Sequence, residues 1–335
     1  MFRRTILSLF GIFLLGASVM VLSQEAPLPP GIAAPENPPA GQEPAASSVE
    51  HWDKLALRDN DLHPDPPLSG EIDTFPEFTR ELIRVQWRAG DPIDLYIVRP
   101  AGVAKPPVIL YLYGYPGEAI RFLNNSLCKT VTRNGFAAVS FSSMLTGQRY
   151  HDVPMKEWFI SDLQRSLVGS SHDVQLVLNY LASRGDFDMT RVGMFGEGSG
   201  GTIALLAASV DPRIKAVDVL NPWGDWPSWL AASLLIPDTE RSNYLKPEFL
   251  ESVAPLDPIA VLPRLTSVPL RLQQNLCDDT KTPAAARKRI AVALPLAADL
   301  AQYNNEQEYY DKVGSKGKML DWLYGHLQSS RFDRP

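Results

Sequence analysis

The sequence predicts an α/β protein with a doubly wound, mostly parallel sheet and a small cap insertion. Short apolar runs such as VILYLYG and RVGMF are continuous, which is typical of strands buried on both faces of a parallel sheet. Segments with helical spacing separate these runs, as in β-α repeats. The 335 residues, 45% of them hydrophobic, suffice for one large core. Functional residues are therefore expected on loops at the carboxyl ends of the strands.

The elements follow in a regular order. Two β-rich runs around Ala89-Gly90-Asp91 predict a hairpin between residues 81 and 100. After the strand VILYLYG come a helix from Glu118 to about Arg133 and the strand FAAVSF. A helix with Ser171 as its N-cap is expected next. The remaining predicted elements are the strands RVGMF, KAVDVL and PLRLQQN, a helix after each of RVGMF and PLRLQQN, a weak strand near ADLAQYN and a final helix in GKMLDWLYGHL.

The N-terminus has the pattern of an export signal. Arg3 and Arg4 precede an apolar run from Ile6 to Leu22, and small residues follow, so residues 1–23 are expected to be removed after Ser23. The alternative is an uncleaved anchor, because a run of about 17 apolar residues just reaches across a bilayer. The mature chain is expected to be exported, either periplasmic or secreted, and to contact a membrane only if the segment is uncleaved.

Residues 24–70 are rich in Pro, Ala, Gly and Glu and lack apolar periodicity, which is typical of a disordered linker. A short helix is conceivable within residues 51–62. The folded domain is expected to begin near Glu71 and to span residues 71–335, with the cap insertion at about residues 223–266.

The formal charge of −6 is modest, and the basic residues are scattered, which argues against binding of nucleic acid. Metal-ligand spacing, a phosphate loop and a dinucleotide fingerprint are all missing from the sequence, so no cofactor is expected. The expected partner is a small, ester-like molecule. Cys128 falls in a helix and Cys277 beside a distant strand, so two free thiols are expected.

Four segments carry a resemblance to a known family: the hairpin before PPVILYLYGYPG, the run DVQLVLNYLASRGDFDMTRVGMFGEGSGG, the segment SVPLRLQQNLCDDTKTP and the terminal LDWLYGHL. Together they resemble the α/β-hydrolase superfamily, in its dienelactone-hydrolase, acetyl-xylan-esterase and acyl-peptidase-like branches. The resemblance covers about Glu81 to Leu327 and includes the Asp188-x-x-Arg191 pair before the central strand. It implies an α/β-hydrolase fold and a serine esterase or acyl hydrolase chemistry.

The family's nucleophile elbow, Gly-x-Ser-x-Gly, is altered in this chain. Gly196 and Gly200 flank position 198, and position 198 is itself glycine. Ser199 is then expected to start the following helix, where its hydroxyl would cap free N–H groups. The alternative is that Ser199 serves as a shifted nucleophile.

The family's acid lies four residues before a proline, and Asp279 matches this spacing to Pro283, whereas Asp278 is one place early. The alternative for both is a solvated turn. Asp225, which follows KAVDVL, is the backup acid.

The family's histidine base is expected between ADLAQYN and the last helix, where this chain has NNEQEYYDKVGSKG and Gln307 stands at or near its place. His151 is the histidine that could approach the mouth of the site from another element. A surface role is expected for all five histidines, namely His51, His63, His151, His172 and His326.

The resemblance also implies an oxyanion hole made by the backbone N–H groups of Tyr115 and Ser199. The alternative is simple anion binding at the turn that contains Tyr115. Trp223, Trp226 and Trp229 recur at every third position and are expected to form the core of the cap, with a ligand-stacking wall as the alternative.

The sequence is compatible with two functions. The first is an exported α/β-hydrolase-fold pseudoenzyme that binds a ligand or a partner. The second is an active serine esterase or acyl hydrolase that uses Ser199 with Asp279 and a displaced base. The sequence favours the first, because removal of the nucleophile or the base by mutation lowers the turnover of a serine hydrolase on the order of a millionfold.

Overall fold

The computed structural model describes residues 50–59, 62, 67–88, 91–115, 117, 119–145, 149, 159–279 and 282–328. The predicted export signal, most of the predicted linker, His63 and His151 lie outside these residues. Within the described ranges, no helix combines the length and the apolar character that a membrane crossing requires.

Nine strands form one sheet, in the order β1-β2-β3-β5-β4-β6-β7-β8-β9. The first three strands and β5 pair antiparallel, and all pairs from β5 to β9 are parallel, so the predicted doubly wound, mostly parallel sheet is confirmed. The edge strand β1 was not predicted. The strands are β1 (Leu68–Thr74), β2 (Phe78–Val85), β3 (Ile93–Pro100), β4 (Pro107–Leu112), β5 (Ala137–Phe141), β6 (Asp188–Glu197), β7 (Ile214–Leu220), β8 (Leu270–Asn275) and β9 (Asp299–Tyr303).

Helices cover both faces of the sheet. α2 and α3 belong to one buried apolar cluster, and α1 and α10 pack on the opposite face in a second. The α-helices are α1 (Asn125–Thr132), α2 (Leu163–Arg184), α3 (Ser199–Ala208), α4 (Trp226–Ala232), α5 (Asp238–Tyr244), α6 (Pro247–Val253), α7 (Pro258–Val261), α8 (Ala284–Val292), α9 (Glu306–Tyr309) and α10 (Asp321–Leu327). Helices α4 to α7 form the insertion between β7 and β8, and Trp223, Trp226 and Trp229 are buried there, as expected of a cap core.

The prediction that Ser171 begins a helix was wrong. Helix α2 begins at Leu163, and Ser171 lies buried inside it, where its Oγ donates to the carbonyl of Leu167 at 2.8 Å. Apolar residues before Ser171 continue the buried face, so the helix has no reason to begin at the serine. The side chain satisfies its hydroxyl within the helix instead of capping it.

Packed structure also begins earlier than the expected Glu71. Residues of the predicted linker lie against α2: the backbone N–H of Leu57 donates to Gln175 Oε1 at 2.9 Å, and Glu50 Oε1 lies 2.6 Å from His172 Nδ1. His172 has no exposed surface, so the expected surface role is wrong for this histidine. An ionisable ring at this depth requires polar partners, and Glu50 and the carbonyl of Lys54, at 2.7 Å from Nε2, supply them.

Candidate functional site

The turn between β6 and α3 is centred on Gly198. Strand β6 ends at Glu197, α3 begins at Ser199, and Gly198 between them has φ 54° and ψ −123°. A positive φ of this size is strained for a residue with a Cβ. A Cβ built on Gly198 would lie 3.4 Å from Trp223 Nε1 and 3.6 Å from Gly114 Cα. The position that the resemblance assigns to the nucleophile therefore carries no side chain and is covered by an indole.

Ser199 is the first residue of α3 and is fully buried. Its Oγ accepts a hydrogen bond from the backbone N–H of Tyr115 at 2.9 Å. The hydroxyl was expected to cap free N–H groups of its own helix, and the structure instead joins it to the loop after β4. The N–H of Tyr115, which was expected to face an oxyanion, is thereby engaged by a side chain of the same protein.

A cavity of about 410 Å³ opens at the carboxyl ends of β4, β6, β7 and β8, and we call it the strand-end cavity. Its position agrees with the expected location of functional residues. Three carboxylates, three side-chain amides and three tyrosines line it, and none of the described residues in its lining is Lys, Arg or His. The lining residues are Tyr111, Glu197, Leu220, Asn221, Asn275, Asp278, Glu306, Gln307, Tyr309, Tyr310 and Met319.

Of the two adjacent aspartates, the structure brings Asp278 and not Asp279 to this cavity. Asp279 was expected to be the acid, but its side chain is 62% exposed and pairs with Arg287 at 2.8 Å. Asp278 Oδ2 accepts from Asn221 Nδ2 at 3.4 Å, inside the cavity lining. Arg287 explains the difference, because its guanidinium also donates to the carbonyls of Leu276 and Asp278 and so fixes the loop.

Gln307 lines the strand-end cavity, as the resemblance implied for the base position, and its Nε2 donates to Asp311 Oδ1 at 2.8 Å. Sequence reasoning did not identify Glu197 or Asn221 as lining residues. Asn221 has φ 45°, and its Oδ1 accepts from the backbone N–H of Asn275 at 2.9 Å. An Asn directly after a buried strand was the available signal, because Asn tolerates a positive φ.

Two of the described histidines, His172 and His326, lie elsewhere. His172 is held by Glu50, and His326 is exposed and stacks on Trp322 with ring centroids 4.0 Å apart. The backup acid, Asp225, also lies outside the strand-end cavity, where its Oδ1 pairs with Arg289 Nε at 3.2 Å. The structure thus brings Gln307 and Asp278 to one cavity, and it leaves Asp279, Asp225 and these two histidines away from it.

Tyrosines on one wall of the cavity stay neutral. Burial raises the pKa of Tyr111 well above its ordinary value, and Tyr113 and Glu197 add to the effect. Burial likewise raises the pKa of Tyr309, with Glu197 as the next cause. The hydroxyl of Tyr111 lies 3.2 Å from Met319 Sδ. The wall therefore presents uncharged phenols that can donate and accept hydrogen bonds.

Comparison with solved structures identifies the fold. No protein-family model matches the sequence. The acetyl xylan esterase from Paenibacillus sp. R4 superposes with a TM-score of 0.62 at 18% identity, over 82% of this chain and 93% of that chain. Acetyl xylan esterase 1 from Thermoanaerobacterium sp. JW/SL YS485 gives a TM-score of 0.60 at 14% identity, over 83% and 91% of the two chains. The acylaminoacyl peptidase of Pyrococcus horikoshii gives 0.59 at 15% identity, over 78% of this chain and 44% of that chain.

The chain is therefore an α/β-hydrolase-fold protein, and the predicted resemblance to this fold is confirmed. The similar structures are those of esterases and peptidases. Identities of 14–18% establish the shared fold and not a shared activity.

Proposed function

We propose that this protein binds a small ligand in the strand-end cavity and does not carry out serine hydrolase chemistry. The observation that carries the proposal is that Gly198, which has no side chain, stands at the centre of the turn where the resemblance expects a serine. A glycine offers no nucleophile, and the indole of Trp223 lies beside this position, 3.4 Å from a built Cβ. Acyl transfer at this position lacks a nucleophilic side-chain atom.

The hydrogen bond between Tyr115 N–H and Ser199 Oγ supports the proposal. An oxyanion hole needs preorganised donors that are free to face the developing charge. In this chain one of the two expected donors is already paired, at 2.9 Å, with a buried hydroxyl. The alternative enzyme, with Ser199 as the nucleophile and Asp279 as the acid, would have to break that bond, and Asp279 is exposed and paired with Arg287.

The lining of the strand-end cavity indicates the ligand class. Glu197, Asp278 and Glu306 supply carboxylate acceptors, and the amides and phenols supply both donors and acceptors. The described lining has no cationic side chain to hold an anion. The ligand is therefore a neutral or cationic polar molecule that carries several O–H or N–H donors.

Two measurements test this function. The purified protein should not be labelled by a fluorophosphonate probe or hydrolyse short acyl esters above background, and stoichiometric labelling that disappears in Ser199→Ala would establish the alternative enzyme. A thermal-shift comparison of glycerol, an alkylamine and a matched carboxylate should show stabilisation by one or both of the first two only. Asp278→Asn should weaken that stabilisation, and the exposed neighbour Asp279→Asn is the matched control. Stabilisation by the carboxylate would contradict the proposed ligand class.

We further propose that the mature chain begins at Gln24 and works outside the cytoplasm, as the N-terminal pattern of charge and apolar residues suggests. N-terminal sequencing of the protein from its native source tests this. An intact Met1 in a membrane fraction would instead identify an anchor.

A further inference from the structure

A second cavity lies between the insertion that joins β7 to β8 and helix α8, and we call it the insertion cavity. Its volume is about 410 Å³, and it is bounded by residues of α4, α6, α7 and α8, among them Trp226, Leu250, Ile259 and Arg289. None of the residues in its described lining also lines the strand-end cavity. The lining is mostly apolar, so a ligand in this cavity would bury hydrocarbon surface.

Asp225 is held rigidly at the edge of the insertion cavity. Its side chain is 2% exposed, and its φ is 53°. The carboxylate of Asp257 accepts from the backbone N–H groups of both Asp225 and Trp226, each at 2.9 Å. Asp225 Oδ1 pairs with Nε of the largely exposed Arg289 at 3.2 Å. These contacts fix the backbone of both residues and one oxygen of the carboxylate.

Two polar atoms of adjacent residues remain without a partner. Among the buried side-chain nitrogen and oxygen atoms of the described residues, Asp225 Oδ2 and Trp226 Nε1 are those that lack a hydrogen bond. One is an acceptor and the other is a donor, and both residues line the insertion cavity. An unpaired buried polar atom is unfavourable, so two of them in adjacent residues point to a partner that completes them.

We propose that the insertion cavity binds a neutral, largely apolar small molecule that carries one hydroxyl or amide group. That group donates a hydrogen bond to Asp225 Oδ2 and accepts one from Trp226 Nε1, while the hydrocarbon part packs on Leu250, Ile259 and neighbouring apolar side chains. A carboxylate ligand would be repelled by Asp225 and Asp257. A plain hydrocarbon would leave both polar atoms unpaired.

The probes are benzyl alcohol and benzamide, with benzoate as the charged control and toluene as the control without a polar group. Binding to the purified full-length protein is measured by ligand-observed NMR and by titration calorimetry. We expect the alcohol or the amide to bind, and each control to bind about tenfold or more weakly, because each lost or unfavourable hydrogen bond costs roughly one factor of ten.

Two conservative variants locate the site. In Asp225→Asn the amide oxygen still accepts from Arg289, so an NH₂ group takes the place of the acceptor Oδ2. Asn also tolerates the positive φ of this position. In Trp226→Phe a smaller phenyl ring replaces the indole and the N–H is lost. Each should weaken benzyl alcohol or benzamide about tenfold. The matched control is Trp322→Phe, which removes an indole N–H that donates to Asp299 Oδ2 at 2.7 Å in another part of the fold, and it should leave binding unchanged.

Stability without ligand measures the packing cost of each variant separately from its probe affinity. Trp226 is fully buried, so the smaller ring in Trp226→Phe should lower the free energy of unfolding, and the affinities are compared under conditions in which each variant is folded. Unchanged probe affinity in both folded variants would overturn the proposal. It would also be overturned if neither probe binds up to its solubility. None of these results depends on whether Ser199 is reactive or on the strand-end cavity.

Discussion

The buried hydroxyl of Ser199 lies 2.9 Å from the backbone nitrogen of Tyr115 and accepts its hydrogen bond. This one contact ties the start of α3 to the loop after β4, 84 residues earlier in the chain. It gives Ser199 a structural role that is separate from nucleophilic attack. It also engages the backbone N–H of Tyr115, which the fold could otherwise direct at an oxyanion at the strand ends.

Replacement of Ser199 by Ala should destabilise the protein. The N–H of the half-buried Tyr115 would lose its acceptor, and loss of such a hydrogen bond costs about 0.5–1.5 kcal/mol. Urea denaturation followed by circular dichroism measures the free energy of unfolding. The control is Ser183→Ala, because the Ser183 hydroxyl is exposed and donates to the carbonyl of Tyr180 at 2.8 Å. Equal losses in the two variants would show that the bond to Tyr115 does not stabilise the fold.

Gly198→Ala should also destabilise the protein. A residue with a Cβ is strained at a φ of 54°, so a loss of about 1–3 kcal/mol is expected. Gly325→Ala is the control, because Gly325 lies in α10 with nothing within 4 Å of its built Cβ, and Ala favours a helix. A neutral Gly198→Ala would contradict the conformation of the turn.

Hydrolase activity should be restorable only when the Tyr115 donor is released. Gly198→Ser with Gln307→His supplies a nucleophile and a base but leaves the bond to Ser199 in place. Addition of Ser199→Ala frees the N–H, so the triple variant should hydrolyse a short acyl ester at least tenfold faster than the double variant, since one oxyanion donor is worth about 10²–10³ in turnover.

In the triple variant, Asp278→Asn should abolish this activity and Asp279→Asn should not, because Asp278 is the aspartate that lines the cavity. Equal rates for the double and triple variants would mean that the bond between Ser199 and Tyr115 does not limit the chemistry.

The stability of the protein should fall in acid as Asp173 takes up a proton. Burial alone would raise the pKa of this carboxyl, but the charges of Arg149 and Arg88 and their hydrogen bonds outweigh burial and hold the pKa at about 2. The folded-state pKa is below the unfolded value of about 4, so the stabilisation is full above pH 4 and is lost as the pH falls towards 2. The expected loss is about 2 kcal/mol.

Urea denaturation at a series of pH values, from pH 5 down to the acid limit of solubility, measures how the free energy of unfolding changes with pH. Asp173→Asn should be less stable at neutral pH, because two buried arginines lose their shared carboxylate, and its stability should depend less on pH. The exposed Asp238→Asn is the control and should keep the full slope. A steep acid loss that persists in Asp173→Asn would assign the titration to other groups.

Glu50 should stabilise the fold from within the predicted linker. Its carboxylate pairs with Arg88 and His172, and the side chains of Glu50 and Arg88 are 6% and 9% exposed. Glu50→Ala should therefore cost about 3 kcal/mol, since it leaves a buried arginine without one partner. Glu77→Ala, which removes an exposed pair with Lys129, should be close to wild type in thermal denaturation. A wild-type melting temperature for Glu50→Ala would show that residues 50–59 contribute little to stability.

The order of the strands from β2 to β9, and of the helices α1, α2, α3, α8 and α10, was determined by the sequence, because each of these elements carries its own periodicity or apolar run. The helices α4 to α7 of the insertion and the short α9 were not predicted. The sequence also predicted that Gly198 lies at the centre of the turn, because the spacing of Gly196, Gly198 and Gly200 is a local pattern within five consecutive residues. The edge strand β1, LSGEIDT, was missed because an exposed edge lacks the apolar alternation that marks a strand.

The functional contacts were decided by the tertiary structure. Which of the adjacent aspartates lines the cavity depends on Arg287, which fixes the loop by bonds to its carbonyls. His172 is buried because Glu50, 122 residues earlier, pairs with it, and Ser199 is engaged because Tyr115 lies beside it in space. Spacing along the chain reports which residues share a strand or a helix face. It does not report which side chain from a distant segment supplies the partner, because that choice is made by packing and by the need to satisfy buried polar groups.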